Sequence, residues 1–314
     1  MLLIKVINLM EPEIKRRTAE GIIREYSAHV SVVAAVALIF MSLYIGPSNR
    51  GSTAARGTDT QDILQEAVLP TKGVTLPITW GDLGVKLVDV GAIDRGKMEA
   101  LYRDRGGFPP EYQKMLEKNT SRKIVITSQN AGYLLNLLWA LGLANENPIL
   151  EDKNEMMNPS YKGAGNFAST GGWTLAKGSA MSHYNRHELV VLTGEQQALV
   201  DRVSRNIYRP CCDNSTHFPD CNHGMAMLGL LELMVSQGVN EEDMYKTALA
   251  VNSYWFPDTY LTIATYMQNR GIAWENVSPK EVLGASYSSS SGYQNISSQV
   301  TQLQQGRGGS GCSA

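Results

Sequence analysis

An uncharged apolar stretch near the start of the chain limits how the rest can fold. Val30 to Ile45 (VSVVAAVALIFMSLYI) contains neither a charged residue nor a proline. The run is uniformly apolar rather than striped, and with its immediate neighbours it approaches the length of a bilayer-spanning helix. Lysine and arginine are more frequent before the run than just after it, so the positive-inside rule places residues 1–29 in the cytoplasm. A buried core helix and a cleaved signal peptide ending near Ser52-Thr53-Ala54 are the alternatives.

We therefore predict a mainly α protein of the cell membrane. An N-terminal transmembrane helix at 30–46 precedes a helical extracytoplasmic domain with little β structure. Composition divides the remainder into a stalk or linker at 47–75, the N-terminal part of a globular domain at 76–190, a helical bundle at 191–283 and a flexible Ser/Gly/Gln-rich tail at 284–314. The expected partners are the membrane and, as a candidate, an envelope protein. The 30 acidic and 28 basic residues show no basic stripe, which argues against nucleic acid.

Apolar periodicity and capping residues predict the elements of the globular part. Asp94, Asn130 and Asn240 are candidate N-caps, and Thr193 with Gln196 forms a capping box. The predicted helices are a short one at Gln61–Ala67 in the stalk, one from Asp94 to Tyr102, and then Glu111–Lys118, Ala131–Ala144, Thr193 to about Tyr208, Met225 to Gly238, Glu241 to about Tyr254, and Pro257 to Gly271. The clearest strand candidate is Lys123–Thr127.

The soft metal ligands are concentrated in one loop, which we call the cysteine loop (residues 209–225). Three of the four cysteines are here, Cys211, Cys212 and Cys221, together with His217 and His223. Asp220 or Asn222 is the expected N-cap of the following helix, whose positive dipole end would lower the pKa of the Cys221 thiol. The sequence therefore predicts a metal site formed by Cys211, Cys212, Cys221 and His223, with His217 in reserve. Thiolates and imidazoles select copper or zinc, and nearby Met225 and Met227 favour copper if they are not simply core residues.

Two other functions fit the same residues. Cys221 can act as an attacking thiol with Cys211 or Cys212 as its resolving partner, as in thiol–disulfide oxidoreductases. Alternatively, one disulfide from Cys221 to either of these cysteines staples a structural or interaction domain. Whether the chain is an enzyme stays open, because it contains no G-x-S-x-G, H-E-x-x-H, P-loop or dinucleotide-binding motif.

Two further histidines, His183 and His187, stand four residues apart at the end of a long Gly- and Ser-rich segment. On a helix they would share one face and could chelate a metal. The alternative is that both are exposed polar residues of a loop. The fourth cysteine, Cys312, lies in the predicted tail.

The segments Pro210-Cys211-Cys212 and Phe218 to Met227 resemble uncharacterised membrane-anchored bacterial envelope proteins with a CC-x8-C-x-H motif. Residues 193–254 are also loosely similar in layout to the thiol-bearing subunit of cytochrome c maturation. That similarity consists of a capped helix, a cysteine loop, a second helix and the turn Gly238-Val239-Asn240-Glu241-Glu242. The chain lacks the C-x-x-C of that family. The layout implies thiol chemistry outside the cytoplasm.

Overall fold

Helices account for most of the ordered backbone in residues 61–300, the part of the chain that the computed structural model describes. In chain order the elements are α1 (61–68), β1 (Val74–Gly81), α2 (Leu83–Asp89), α3 (Arg95–Arg103), α4 (Pro110–Glu117), β2 (Thr120–Ile126), α5 (Ala131–Ala144), α6 (Gly194–Ser204), α7 (Asn222–Ser236), α8 (Glu241–Trp255), α9 (Pro257–Asn269), α10 (Pro279–Val282), α11 (Ala285–Ser288) and α12 (Ser290–Ser297). Short 3-10 helices lie at Pro148–Glu151, Pro159–Tyr161, Ala164–Asn166, Ala180–Ser182 and Trp274–Asn276. The prediction of a mainly helical protein with little β structure is confirmed for these residues.

Two apolar helices, α5 and α7, form the centre of the molecule. Nearly every residue of both is buried, which agrees with their almost continuous apolar sequences. Their backbones touch where Gly142 faces Gly229: a Cβ atom on Gly142 would lie 2.1 Å from the carbonyl oxygen of Met225, and one on Gly229 would lie 2.4 Å from that of Leu138. The two glycines thus allow a closer approach than side chains would permit. This contact fixes α7, which carries Cys221 and His223 at its start.

The sheet in residues 61–300 has two strands, β1 and β2, paired antiparallel. Alternate residues of β1 are buried, among them Leu76, Ile78 and Trp80, which is the period-two pattern of a half-buried strand. The amide side chain of Gln237, just after α7, bonds to both the N–H and the carbonyl of Thr79 at 2.9 and 2.8 Å. The sequence pattern predicts only β2, and β1 falls partly in the predicted stalk.

Most predicted helix starts are confirmed. The side chains of Asp94 and Asn240 accept the expected capping hydrogen bonds, and both halves of the Thr193–Gln196 capping box are present. Asn130 is different: its side chain makes no bond to the helix and instead accepts from the N–H of Thr127 at 2.8 Å. Helix α6 ends at Ser204 and not near Tyr208, because the chain there turns away to pair with other segments.

Residues predicted to be stalk are folded from residue 61 onwards. Leu64 and Val68 on α1 are buried in the hydrophobic core, and β1 begins at Val74. These two apolar positions are four residues apart, which is the spacing of one helix face. The residues around them are mostly polar, so the composition of the segment indicated a linker. The predicted stalk therefore does not extend through residues 61–75. Its remainder lies outside the described residues.

The predicted flexible tail is likewise folded as far as residue 300. Ile296 and Val300 are buried, and so is Ser288, whose hydroxyl bonds to the Tyr260 hydroxyl at 2.8 Å and to the Val282 carbonyl at 2.7 Å. Serine-rich composition suggests disorder, but here the hydroxyls cap short helices and pair with buried groups. Residues 301–314, including Cys312, lie outside the described residues.

The predicted cytoplasmic segment at 1–29 and the transmembrane anchor at 30–46 also lie outside the described residues. Between residues 61 and 300, the structure contains no helix with both the length and the hydropathy to span a bilayer.

Candidate metal centre

The cysteine loop connects α6 to α7 and is held at several points. Tyr208 pairs with Ser215 in an antiparallel bridge, and the Thr216 N–H donates to the Ile207 carbonyl at 2.8 Å. From the folded C-terminal region, the Ser290 N–H donates to the Cys212 carbonyl at 2.9 Å. The loop is therefore clamped both by its own backbone and by the segment that was predicted to be a tail.

The guanidinium of Arg209 organises the interior of this loop. The side chain is only 1% exposed, and it donates to the Cys221 sulfur at 3.0 Å, to the Asp220 carboxylate at 2.7 Å and to the carbonyls of Asn214 and Phe218 at 2.9 Å each. Gly224 makes room for it, because a Cβ atom there would lie 2.5 Å from the guanidinium carbon. A buried arginine must be paired and hydrogen-bonded, and these partners meet that requirement.

Cys221 is the N-cap of α7. Its sulfur accepts the N–H of Gly224 at 3.4 Å, so the residue itself fills the position that the sequence suggested for Asp220 or Asn222. A sulfur at this position faces the unpaired N–H groups and the positive end of the helix dipole. The expectation that a helix start would favour the Cys221 thiolate is therefore met in geometry.

Two cysteines of the loop, Cys212 and Cys221, differ in the direction in which their surroundings shift the pKa of the thiol. Hydrogen bonds from Cys211 and Cys212, supported by the charge of Arg209, outweigh burial and lower the pKa of Cys221 well below its usual range. For Cys212, the hydrogen bond with Cys211 lowers the pKa, but its hydrogen bond to Cys221 and its burial raise it, with the result that the pKa is about 11. The surroundings therefore favour the thiolate form of Cys221 and the protonated thiol of Cys212.

Two overlapping groups of ligand atoms meet at Cys221. In the first, Cys211, Cys221 and one ring nitrogen of His223 lie within 4.8 Å of one another; in the second, Cys212, Asp220 and Cys221 do so. The Cys211 and Cys221 sulfurs are 3.4 Å apart, which is well beyond the ~2.05 Å of a disulfide bond. Four of the five predicted ligands, Cys211, Cys212, Cys221 and His223, are therefore brought together.

The tautomer of His223 is determined by its neighbour Asn222. Both its backbone N–H and its Nδ1 lie 3.1 Å from the side-chain oxygen of Asn222, which can only accept. Nδ1 therefore carries the proton, and Nε2 keeps a lone pair. The rings of Phe256 and Trp255 pack near the imidazole, with centroids at 4.3 and 5.8 Å.

His217, the reserve ligand, belongs to neither group. Its Nε2 lies 2.9 Å from the Asp201 carboxylate and 2.7 Å from the Arg205 guanidinium, on the side of the loop that packs against α6. Its backbone N–H donates to the Ser204 carbonyl at 3.2 Å. Met225 and Met227 are fully buried members of the core, as the alternative interpretation of these residues expected.

Sequence reasoning missed Arg209 and Asn222. Arg209 stands just before the cysteines, but an arginine in a polar loop is most often exposed, and only the fold shows that it is buried. Asn222 was considered as a helix cap, whereas the structure makes it the hydrogen-bond acceptor of the His223 imidazole. In the sequence, the only sign of this role was the position of Asn222 directly before His223.

The arrangement can do two things chemically. Two sulfurs and an imidazole can bind a soft metal ion, and two cysteine sulfurs 3.4 Å apart, one of them with a lowered pKa, can exchange with a disulfide. The identity of a metal is not determined by this geometry. No family model, curated protein or solved structure matches this chain.

Proposed function

We propose that the protein binds a copper(I) ion through Cys211, Cys221 and His223. The observation that supports this most directly is the convergence of these three side chains within 4.8 Å at the start of a buried helix. Thiolate ligands are soft and suit Cu(I), and three ligands satisfy its preference for low coordination numbers. Zinc normally takes a fourth ligand. Here Cys212 and Asp220 are the nearest candidates for that position.

The charged neighbours of the site also bear on the choice of ion. The guanidinium of Arg209 and the carboxylate of Asp220 lie 2.7 Å apart and balance each other, while the lowered pKa of Cys221 favours its thiolate. One Cu(I) ion neutralises that thiolate charge. A Zn(II) ion would need a second ionised ligand to reach the same balance. Copper is therefore preferred to zinc in this proposal.

We also propose that this domain lies outside the cytoplasm, attached to the cell membrane by a helix at 30–46. The support is the uncharged apolar run and its basic N-terminal flank. Because the site is in a loop and only partly buried, it could exchange copper with an envelope protein. Topology can be tested by attaching a reporter after residue 314 that is active only outside the cytoplasm; an inactive reporter would refute this placement.

Copper binding is tested on the full chain purified without oxygen. Cu(I) is titrated against a coloured chelator, and bound copper and zinc are counted by mass spectrometry. We expect one Cu(I) per chain, and Cys221→Ser should abolish it because this sulfur belongs to both ligand groups. Cys312→Ser is the matched control, since it removes a cysteine outside the loop. Equal copper binding by wild type and Cys221→Ser would refute the site.

Thiol–disulfide exchange is the second candidate, favoured by the 3.4 Å sulfur separation and the Arg209 contact with Cys221. The Cys221 thiolate would attack one sulfur of a protein disulfide and release the other as a thiolate. Cys211 would then attack the mixed disulfide, releasing the second partner sulfur and closing a Cys211–Cys221 bond, so two electrons pass to the partner. Cys211→Ser should trap the mixed disulfide. Absence of a trapped product, together with bound copper, would favour the first function.

A further inference from the structure

His183 and His187 meet in the structure although they do not share a helix. His183 follows the 3-10 helix Ala180–Ser182, and His187 lies in a short bridge to Asn145. Between them Asn185 adopts a left-handed conformation with φ of 53°, which reverses the chain and brings the rings back together. The two rings therefore meet because of this turn and not because both residues lie on one helix.

The two rings are placed as two ligands of one metal ion would be. His183 Nδ1 lies 3.2 Å from His187 Nε2. Two imidazole nitrogens bound at ~2.0–2.1 Å to a tetrahedral ion are about 3.3 Å apart, nearly the same separation. The nitrogens are thus already at the distance that coordination requires, and no change of fold is needed to bind an ion.

The hydrogen bond that His183 makes with the backbone leaves its other ring nitrogen free to bind a metal. Its Nε2 lies 3.0 Å from the backbone carbonyl of Lys177, which can only accept, so Nε2 carries the proton and Nδ1 carries a lone pair. A ligating histidine usually donates its second N–H to such a carbonyl, which fixes both tautomer and ring orientation. His183 is 7% exposed, so this orientation is held by packing as well.

His187 supplies the accessible side of the pair. It is half-buried, and the carboxylate of Glu146 is close enough to interact electrostatically with its ring. Glu146 is itself exposed, and its N–H donates to the His187 carbonyl at 3.0 Å. Water can occupy the remaining positions, as in sites whose ligands exchange.

We propose that His183 and His187 form a second metal site, separate from the cysteine loop, for a divalent borderline ion such as Zn(II). Two imidazole nitrogens without a sulfur ligand suit this class of ion better than the soft Cu(I) of the sulfur site. The site stands on its own residues and does not depend on copper binding at Cys221.

The proposal predicts a change of tautomer that can be observed. Without metal, His183 Nδ1 has no proton, so the contact between the rings requires His187 to donate from Nε2. Zn(II) binding needs the lone pair of that same nitrogen, and the His187 proton must then move to Nδ1. His183 keeps its proton on Nε2 throughout, because the Lys177 carbonyl accepts it.

The experiment is a two-dimensional nitrogen–proton spectrum of the histidine side chains in the full chain, during titration with Zn(II). We expect His187 to change from the Nε2–H to the Nδ1–H form while His183 shifts without changing tautomer. In His187→Gln the apparent Zn(II) affinity reported by the His183 signals should fall by more than about tenfold. Unchanged His217 signals would report an intact fold, and Glu188→Gln, which alters the exposed neighbour, is the matched control.

Two results would overturn the proposal. One is that saturating Zn(II) leaves the His183 and His187 signals unchanged, which would make the pair an ordinary hydrogen bond between two loop residues. The other is that His183 responds to Zn(II) equally in wild type and in His187→Gln. A change of His223 alone would place the ion at the cysteine loop and would also refute a second site.

Discussion

The carboxyl group of Glu232 should make the stability of this protein depend strongly on pH. Glu232 lies on α7 and is fully buried; one carboxyl oxygen accepts from the Asn147 amide at 2.6 Å, and the other has no hydrogen-bond partner. Burial raises its pKa from 4.5 to about 8, although the nearby amide side chains of Asn147 and Asn145 partly offset the shift. The folded protein therefore keeps this group protonated at neutral pH.

The sign and size of the effect follow from that shift. An unfolded chain ionises this carboxyl near pH 4.5, so between 4.5 and 8 the unfolded state binds fewer protons than the folded state. Stability from this group is fully present below pH 4.5 and is lost as the pH rises towards 8. At 1.36 kcal/mol per pKa unit, the loss over the whole window is at most about 5 kcal/mol.

Glu232→Gln tests this reasoning, because the amide fills the same volume and cannot ionise. Urea unfolding of wild type and variant at pH 5.0, 6.5 and 8.0 gives the difference in the free energy of unfolding at each pH. We expect this difference to move in favour of the variant by several kcal/mol between pH 5.0 and 8.0. Glu275→Gln, at an exposed carboxyl, should give a nearly constant difference. Parallel pH profiles for wild type and Glu232→Gln would refute the argument.

Two other substitutions test the helix contact and the loop. Gly142→Ala should lower the free energy of unfolding, measured by urea titration, by about 1–3 kcal/mol, because the new methyl group overlaps the backbone of α7. The control is Gly132→Ala, in the same helix but facing open space, which should be neutral or slightly stabilising. Equal effects of the two substitutions would contradict the close contact. Arg209→Lys keeps the charge but cannot make the four observed hydrogen bonds, so the pKa of Cys221, followed by ultraviolet thiolate absorbance, should rise by roughly one unit. An unchanged titration would show that Arg209 does not control this thiol.

Local sequence signals were reliable where a single helix determines its own hydrogen bonds. The capping box at Thr193 and Gln196 and the cap at Asn240 depend on residues three apart, and both are found as predicted. Helix α5 was predicted with its observed limits because its apolar residues have no polar interruption long enough to end it. These interactions form within one turn and need no information from the rest of the chain.

Composition was less reliable at the two ends of the described region. Leu64 and Ile296 lie in segments whose serine, threonine and glycine content suggested a stalk and a tail, yet both are buried. A few apolar residues at the correct spacing are enough to dock a short helix on an existing core. These few apolar residues hardly change the average composition of their segments.

The concentration of cysteine and histidine in one loop, the order of the helices and most of their limits could be read from the amino-acid sequence alone. Only the tertiary structure decided which of these side chains meet: it joins Cys211, Cys221 and His223, separates His217, and places Arg209 against a sulfur 12 residues away. Helix limits depend on short-range hydrogen bonds and on the 3.6-residue period, which are local properties of the sequence. Convergence of ligands depends on how α5, α6 and α7 pack, and the close contact at Gly142 and Gly229 sets the distance between α5 and α7.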